Sequence, residues 1–253
     1  MIPKKIHLCW FGGGSYPLDI KMCLHTWKRY LPDYEIRLWD YDAAKAIGIK
    51  FIDEALENRK WAFAADVVRF YAVWKEGGVY MDSDIFLFRN FDELLSMDSF
   101  VGVIEKTTPN DTTYGLQAAF FMGEPGNRFC AEMVEMYRKM EFKDTLSAMY
   151  DPVLSHKIVS PHRMLIIAEK VGFKHINEKQ ILESGATILP TQYLLPNENK
   201  WLREDYTIGM HRADGSWRKR KFGRRLEKAI KKYIRVGKYY LNYYIGILQK
   251  GRM

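Results

Sequence analysis

Gly77-Gly78-Val79-Tyr80-Met81-Asp82-Ser83-Asp84-Ile85-Phe86-Leu87-Phe88 is the stretch from which the fold is read. Two acids, two apart, lie between apolar runs. A strand alternates its faces with period 2, so on a strand through Val79–Phe88 the two carboxylates share a face. Side by side they repel unless a cation lies between them. Hard divalent ions such as Mg²⁺ and Mn²⁺ accept such oxygen ligation and commonly share the site with phosphates. The plainer reading is a solvated acid pair in a loop, and Asp-x-Asp alone does not decide between them.

Just upstream, Trp61–Lys75 carries Phe63, Val67, Phe70, Tyr71 and Trp74 at helical spacing and is stopped by Gly77-Gly78. On that helix Asp66 and Arg69 are i and i+3 and share a face. A surface pair of this kind contributes about 0.3–0.5 kcal/mol. Here the neighbours are Ala64, Ala65, Val67, Val68 and Phe70, so both charges need partners that a polar ligand can supply. Further out, strands are expected at Lys5–Phe11, Tyr34–Asp40, Phe100–Glu105, Gln117–Met122, Thr187–Leu189 and Tyr206–Met210. Helices are expected at Asp19–Tyr30, Ala43–Gly48, Ile52–Asn58, Arg128–Met140 and Pro161–Val171. Alternating strands and helices predict a layered α/β fold. The glycines Gly12-Gly13-Gly14 after the first strand let backbone approach a ligand, but neither a dinucleotide fingerprint nor a P-loop follows them.

At 253 residues the chain is long enough for one large α/β domain. No window approaches the roughly 18 consecutive apolar residues of a membrane span. The N-terminus has no apolar run before a small-residue cleavage site and is not read as a signal peptide. Cys9, Cys23 and Cys130 have no metal spacing and are read as reduced thiols of a cytosolic protein. The net charge of +8 is unevenly spread. Residues 218–253 hold 13 Lys/Arg against the single acid Glu227, so residues 1–217 are net −4. The basic character belongs to the tail, and nucleic-acid binding is not expected from the body.

A second feature is His211-Arg212-Ala213-Asp214-Gly215-Ser216-Trp217. A lone histidine is more often structural than a ligand, but this one follows an expected strand. With it the chain resembles the DXD-containing sugar transferases of glycosyltransferase family 32, of the capsular-polysaccharide and mannosyltransferase-like kind. The resemblance is carried by Ile2 through Gly13, by Trp61 through Phe70, by Glu76 through Asp84, by Ile188 through Pro196, and by His211 through Trp217. It spans residues 2–217. The glucosyltransferase domains of the large clostridial toxins are similar more distantly, through the Asp/Arg helix and the DXD.

The resemblance implies a GT-A type fold with a mixed central sheet over residues 1–217 and a metal-dependent, retaining sugar transfer from a nucleotide sugar, UDP favoured. The implied ion is Mn²⁺ or Mg²⁺, held by Asp84 and His211, with Asp82 reaching it directly or through water. Ser216 and Trp217 are expected to close over the diphosphate. Asp66 is expected to accept from sugar hydroxyls, while Arg69 holds Asp66 or Asp82 in place. Trp10 is expected to stack near the base, its other reading being a core tryptophan. Gln117 stands where the family often has an asparagine or small polar residue, and Asp151-Pro152 where it has Gly-Pro. Both lie on the acceptor side. No second carboxylate stands out as a covalent nucleophile, so front-face transfer within an ion pair is expected.

Residues 218–253 read as a basic amphipathic helix. Phe222, Leu226, Ile230, Tyr233, Gly237, Leu241, Ile245 and Leu248 form one stripe, with tyrosines crowded toward the end. One reading packs it on the domain or on a second copy, giving a homo-oligomer. The other lays it, through residues 219–253, on an anionic membrane at the inner face of the cell, where a lipid-linked or glycan acceptor of cell-surface polysaccharide synthesis is met. Rival functions are a toxin-type protein-modifying transferase, a non-catalytic nucleotide-sugar-binding module, and a metal-dependent nucleotidyltransferase.

Overall fold

The computed structural model describes residues 1–106, 114–149, 159–183, 185–196, 203–212 and 222–250, with residues 146, 222–228, 248 and 250 by backbone alone. Five apolar-rich segments build its centre: β1 (Lys5–Cys9), β2 (Glu35–Trp39), β3 (Gly78–Met81), β5 (Phe100–Lys106) and β6 (Tyr114–Gly123). With β8 (Ala186–Leu189) and β7 (Gln180–Leu182) they form a seven-stranded sheet of order β2-β1-β3-β6-β5-β8-β7. β1 is parallel to β2 and β3, β6 runs antiparallel between β3 and β5, and β8 is parallel to β5. All four residues of β3 are buried, as a central strand covered on both faces requires.

Helix α4 (Trp61–Glu76) covers one face, with α3 (Lys50–Glu57), α5 (Arg128–Arg138) and α7 (Ser160–Glu169) packed around it. Helix α1 (Leu18–Tyr30) covers the other, its Trp27 buried among Ile6, Val79, Phe91 and Phe120. The remaining helices of the body are α2 (Tyr41–Lys45) and α6 (Phe142–Ala148). The α/β architecture with a mixed central sheet is thus as expected. α6, β7 and a strand at Leu194–Pro196 are additions that sequence periodicity does not show, each being too short for a period to emerge.

One expectation is corrected where it matters most. β3 ends at Met81, and Asp82-Ser83-Asp84 is a turn rather than part of a strand. Asp82 N–H donates to Ala119 O at 2.8 Å, and Ile85 N–H turns back to Asp82 O at 3.0 Å. The chain then leaves for a second, three-stranded sheet of order β4-β10-β9, formed by β4 (Ile85–Leu87), β10 (Gly209–His211) and β9 (Leu194–Pro196). The two acids approach each other across a turn, not through pleat alternation.

The Gly77-Gly78 junction is set by space. Gly77 has φ +63° and a Cβ there would lie 2.6 Å from Pro125 Cδ; Gly78 has φ +110° and its Cβ would lie 2.5 Å from Lys5 O. Only glycine allows α4 to reverse this tightly into β3. Helix α8 (Phe222–Lys250) lies on α1: Lys232 Nζ is 2.5 Å from Asp19 Oδ1, and His25 Nδ1 is 2.7 Å from Tyr239 Oη.

Candidate functional site

Three side chains converge beyond the carboxyl end of β3. The turn that follows β3 presents both Asp82 and Asp84. β10 runs antiparallel to β4 with His211 opposite Ile85, which carries the imidazole to the acids. His211 Nε2 lies 3.4 Å from Asp84 Oδ1 and 3.8 Å from Asp82 Oδ2. One ligand atom from each of the three residues falls within 4.8 Å of the others.

The donor set fits a hard divalent ion. Ligand atoms about 2.1 Å from one octahedral ion lie about 3–4 Å apart, the size of the separations seen. Electrostatics points the same way. Burial pulls His211 down, but the Asp84 hydrogen bond and the charges of Asp84, Asp82 and Glu105 outweigh it and hold the imidazole up at about 9. The pocket's negative charge calls for a cation, and a proton on His211 answers it.

Asp82 is fixed from behind. Tyr80 Oη donates to Asp82 Oδ1 at 2.6 Å, and Arg69 Nη1 stands 3.7 Å from the same oxygen. Oδ2 is left on the His211 side. Arg69, 6% exposed, is the hub of this support. Its Nη2 meets Asp66 Oδ1 at 2.9 Å, Nη1 donates to Ala118 O at 2.8 Å, Nε donates to Ala65 O at 3.1 Å, and its plane lies over the Tyr80 ring at 4.7 Å. The Ala118 carbonyl is available because β6 is irregular there: Gly102 pairs Phe121, but Ile104 pairs Leu116, so β6 bulges over residues 117–120. Asp66 Oδ1 also accepts from Ser160 Oγ at 2.7 Å, at the start of α7. Burial pushes the Asp66 carboxyl up, against the pull of Arg69 and Ser160.

The expected pairing of Asp66, Arg69, Asp82, Asp84 and His211 is therefore present in one place. Trp10 follows β1, half-buried, its ring 4.8 Å from that of Tyr16, with an indole N–H that meets no acceptor among the described residues. Gln117 is buried in the β6 bulge, its Oε1 likewise without a donor among the described residues. Ser216, Trp217 and Asp151-Pro152 lie outside the described residues.

Sequence reasoning missed Tyr80, Ser160 and Glu105. Tyr80 had a signal, since it precedes Asp82 by two. Glu105, at the end of β5, sits close enough for the charges of His211 and Asp82 to act on it, and burial pushes its carboxyl up. The site thus holds a fourth acid, beside Asp66, Asp82 and Asp84, that no spacing announced. Beside Trp10 a cleft of about 640 Å³ is lined by Phe11, Gly12, Tyr41, Leu56, Glu57, Arg59 and Trp61. Arg59 holds φ +53° at its rim, an uncommon conformation for a side chain of that size. Clefts outside the carboxyl ends of parallel strands are where α/β sheets bind ligands.

Residues 17–101, a third of the chain, match the family model of the glycosyltransferase sugar-binding region containing DXD motif. The matched segment runs from α1 through α4 and the Asp82-Ser83-Asp84 turn into β5. No curated protein sequence matches the chain. Among solved structures, PaToxG glycosyltransferase is 18% identical over 66% of this chain and 68% of its own, with a TM-score of 0.46. Glycosyltransferase GlyE of Streptococcus pneumoniae is 10% identical over 76% of this chain, with a TM-score of 0.43, and this chain spans 47% of it. Galactosyltransferase LgtC, solved with donor and acceptor sugar analogs, is 10% identical over 82% of this chain and 86% of its own, with a TM-score of 0.38. The chain carries a glycosyltransferase sugar-binding region, and its enzyme class is glycosyltransferase.

Proposed function

We propose that this protein, of the family-32 type, moves a sugar with retention of configuration from a nucleotide sugar, UDP-sugar favoured, to a lipid-linked or glycan acceptor of cell-surface polysaccharide synthesis. The observation that carries the reading is the convergence of Asp82, Asp84 and His211 on one point, backed by Tyr80 and Arg69. When bound there, Mn²⁺ or Mg²⁺ supplies Lewis-acid neutralisation of the charge that develops on a leaving diphosphate. The chain's own residues do the rest. Asp84 and His211 would hold the ion, and Asp82 would reach it through its free oxygen or through water. Arg69 and Tyr80 fix Asp82 before substrate arrives, so no reorganisation is needed during reaction. Asp66, deep beside Arg69, accepts from the sugar's hydroxyls. The Trp10 ring and the aromatic walls of the neighbouring cleft, Tyr41 and Trp61, stack near the nucleoside. Gln117 faces the acceptor. Departure of the diphosphate and attack of the acceptor on the same face need no covalent enzyme intermediate.

A panel of UDP- and GDP-sugars tests this directly. Hydrolysis should require Mn²⁺ or Mg²⁺ and fall by at least about 100-fold in Asp84→Ala, as removal of a metal ligand implies. Hydrolysis that persists in chelator, or survives Asp84→Ala, would overturn the mechanism.

A further inference from the structure

Helix α8 has three distinct faces. One is docked: Lys232, Val236, Tyr239, Tyr240 and Tyr243 turn toward α1. Val236 packs with Met22 and Cys23, Tyr239 meets His25, and Arg29 lies over the Tyr243 ring at 5.5 Å. A second face is apolar and turned away from the body. Ile230, Tyr233, Ile234, Leu241, Tyr244 and Ile245 are 53, 64, 54, 61, 59 and 42% exposed. At about 100° per residue these six fall within an arc of about 120°, over a length of about 22 Å. The third face, along one edge of that arc, carries Lys231, Arg235 and Lys238, all exposed.

An exposed apolar stripe this long on a soluble surface calls for a partner. We infer that the stripe is seated in the headgroup region of an anionic membrane, with α8 lying in the plane of the interface. Three observations select that occupant. Among the described residues no helix is long and apolar enough to cross a membrane, so the helix lies on rather than through. The basic row borders the apolar arc on its open side, where lysine and arginine heads reach anionic headgroups while their stems stay with the acyl boundary. The tyrosines at both ends of the stripe suit the polar boundary of a bilayer.

Docking on α1 also ties this surface to the site. The Tyr239 ring lies 5.3 Å from that of Phe86 on β4, the strand that begins one residue after Asp84. A seated α8 therefore holds the Asp82–Asp84 turn at a fixed place relative to the bilayer. In this step the inference rests on the proposed function, and it selects a lipid-linked acceptor over a soluble one.

Vesicle flotation of the full chain tests it. Vesicles of equimolar phosphatidylglycerol and phosphatidylcholine should carry the protein upward at low salt, and phosphatidylcholine alone should not. Ile234→Asp with Leu241→Asp should abolish flotation while thermal melting and nucleotide-sugar hydrolysis stay at wild-type values. Replacing Lys231, Arg235 and Lys238 by Gln should weaken partitioning by about 100-fold, at roughly fivefold per basic residue, and reduce its salt dependence. That second variant decides the matter if the first fails to fold. Absence of flotation, or flotation unchanged in the Gln variant, would overturn the inference. So would a lipid-independent dimer by light scattering that the Asp variant dissolves. A protein that hydrolyses nucleotide sugars without floating loses only this inference; one that floats without hydrolysing any loses only the proposed function.

Discussion

Tyr80, on β3, donates its hydroxyl to Asp82 Oδ1, two residues on in the turn, at 2.6 Å. That bond leaves Asp82 with one oxygen anchored and the other directed toward His211. A partner that orients a ligand is nearly as important to a metal site as the ligand itself, and its removal typically costs about 10–100-fold in affinity. Tyr80→Phe keeps the ring that packs beneath Arg69 and deletes only the hydroxyl. Mn²⁺ titration should show affinity weakened by about tenfold with the fold intact. An unchanged Mn²⁺ affinity would show that Asp82 is oriented by Arg69 alone.

Arg69 is the more drastic target. Its guanidinium bonds two carbonyls and a carboxylate while facing a second carboxylate, all below the surface. Arg69→Ala leaves Asp66 buried without its counter-charge, a change that costs about 3–5 kcal/mol. Arg69→Lys restores the charge but not the planar fork, so it should recover only part of that stability. Urea denaturation of the three proteins gives the ranking. A lysine variant as stable as wild type would mean that charge, not fork geometry, holds this centre.

Much of this arrangement was legible in the sequence because it is local. Asp66 and Arg69 are one helical turn apart, and helix periodicity places both correctly. The Gly77-Gly78 stop is legible for the same reason. What periodicity could not supply is anything set by pairing across the sheet. The Asp82–Asp84 pair looked like alternation on a strand, whereas Asp82 N–H pairs with Ala119 O and the chain turns away. The β6 bulge that frees the Ala118 carbonyl depends on register with β5, which no single segment encodes. Glu105 and Ser160 reach the site from strands and helices distant in sequence, so their role appears only when the elements are assembled. For α8 the sequence left two readings open, docked or interfacial, and the structure shows it docked on α1 with apolar residues left exposed on another face.

His7 gives the scaffold a pH dependence. Its Nε2 is 2.8 Å from Gly77 O, and Trp39 Nε1 donates to its Nδ1 at 3.1 Å, so the neutral ring with its proton on Nε2 satisfies both partners. Burial lowers its pKa from the ordinary 6.5, against the smaller upward pull of the Gly77 carbonyl. In the unfolded chain His7 takes up a proton near 6.5; in the fold it does so only at lower pH. The unfolded state therefore binds more protons below 6.5, and the stability His7 contributes is full above that value and is lost as pH falls through the depressed folded value. Urea midpoints should decline from neutral pH toward pH 5, by at most about 1.4 kcal/mol per pH unit for this one group. His7→Gln keeps a donor and an acceptor but cannot titrate, and should flatten that part of the profile. Parallel declines in the two proteins would assign the acid sensitivity to other groups.

The last prediction concerns the proton that His211 holds. With Asp84 at 3.4 Å and Asp82 at 3.8 Å, the imidazole stays charged up to about 9 although burial opposes it. A divalent ion needs the neutral ring, so the ion and the proton compete for one position. Near neutral pH, Mn²⁺ binding should release close to one proton, and the apparent affinity should rise with pH and level off above about 9. Calorimetry in buffers of different ionisation enthalpy measures the released proton directly. Two variants separate the contributions. His211→Gln should lose the proton release together with most of the affinity, because a ligand is gone. Glu105→Gln keeps all three ligands and removes only a nearby negative charge, so His211 should give up its proton more readily and the affinity curve should level off at lower pH. A pH-independent Mn²⁺ affinity in the wild type would mean that His211 does not ligate, and that the ion is held by the two aspartates without it.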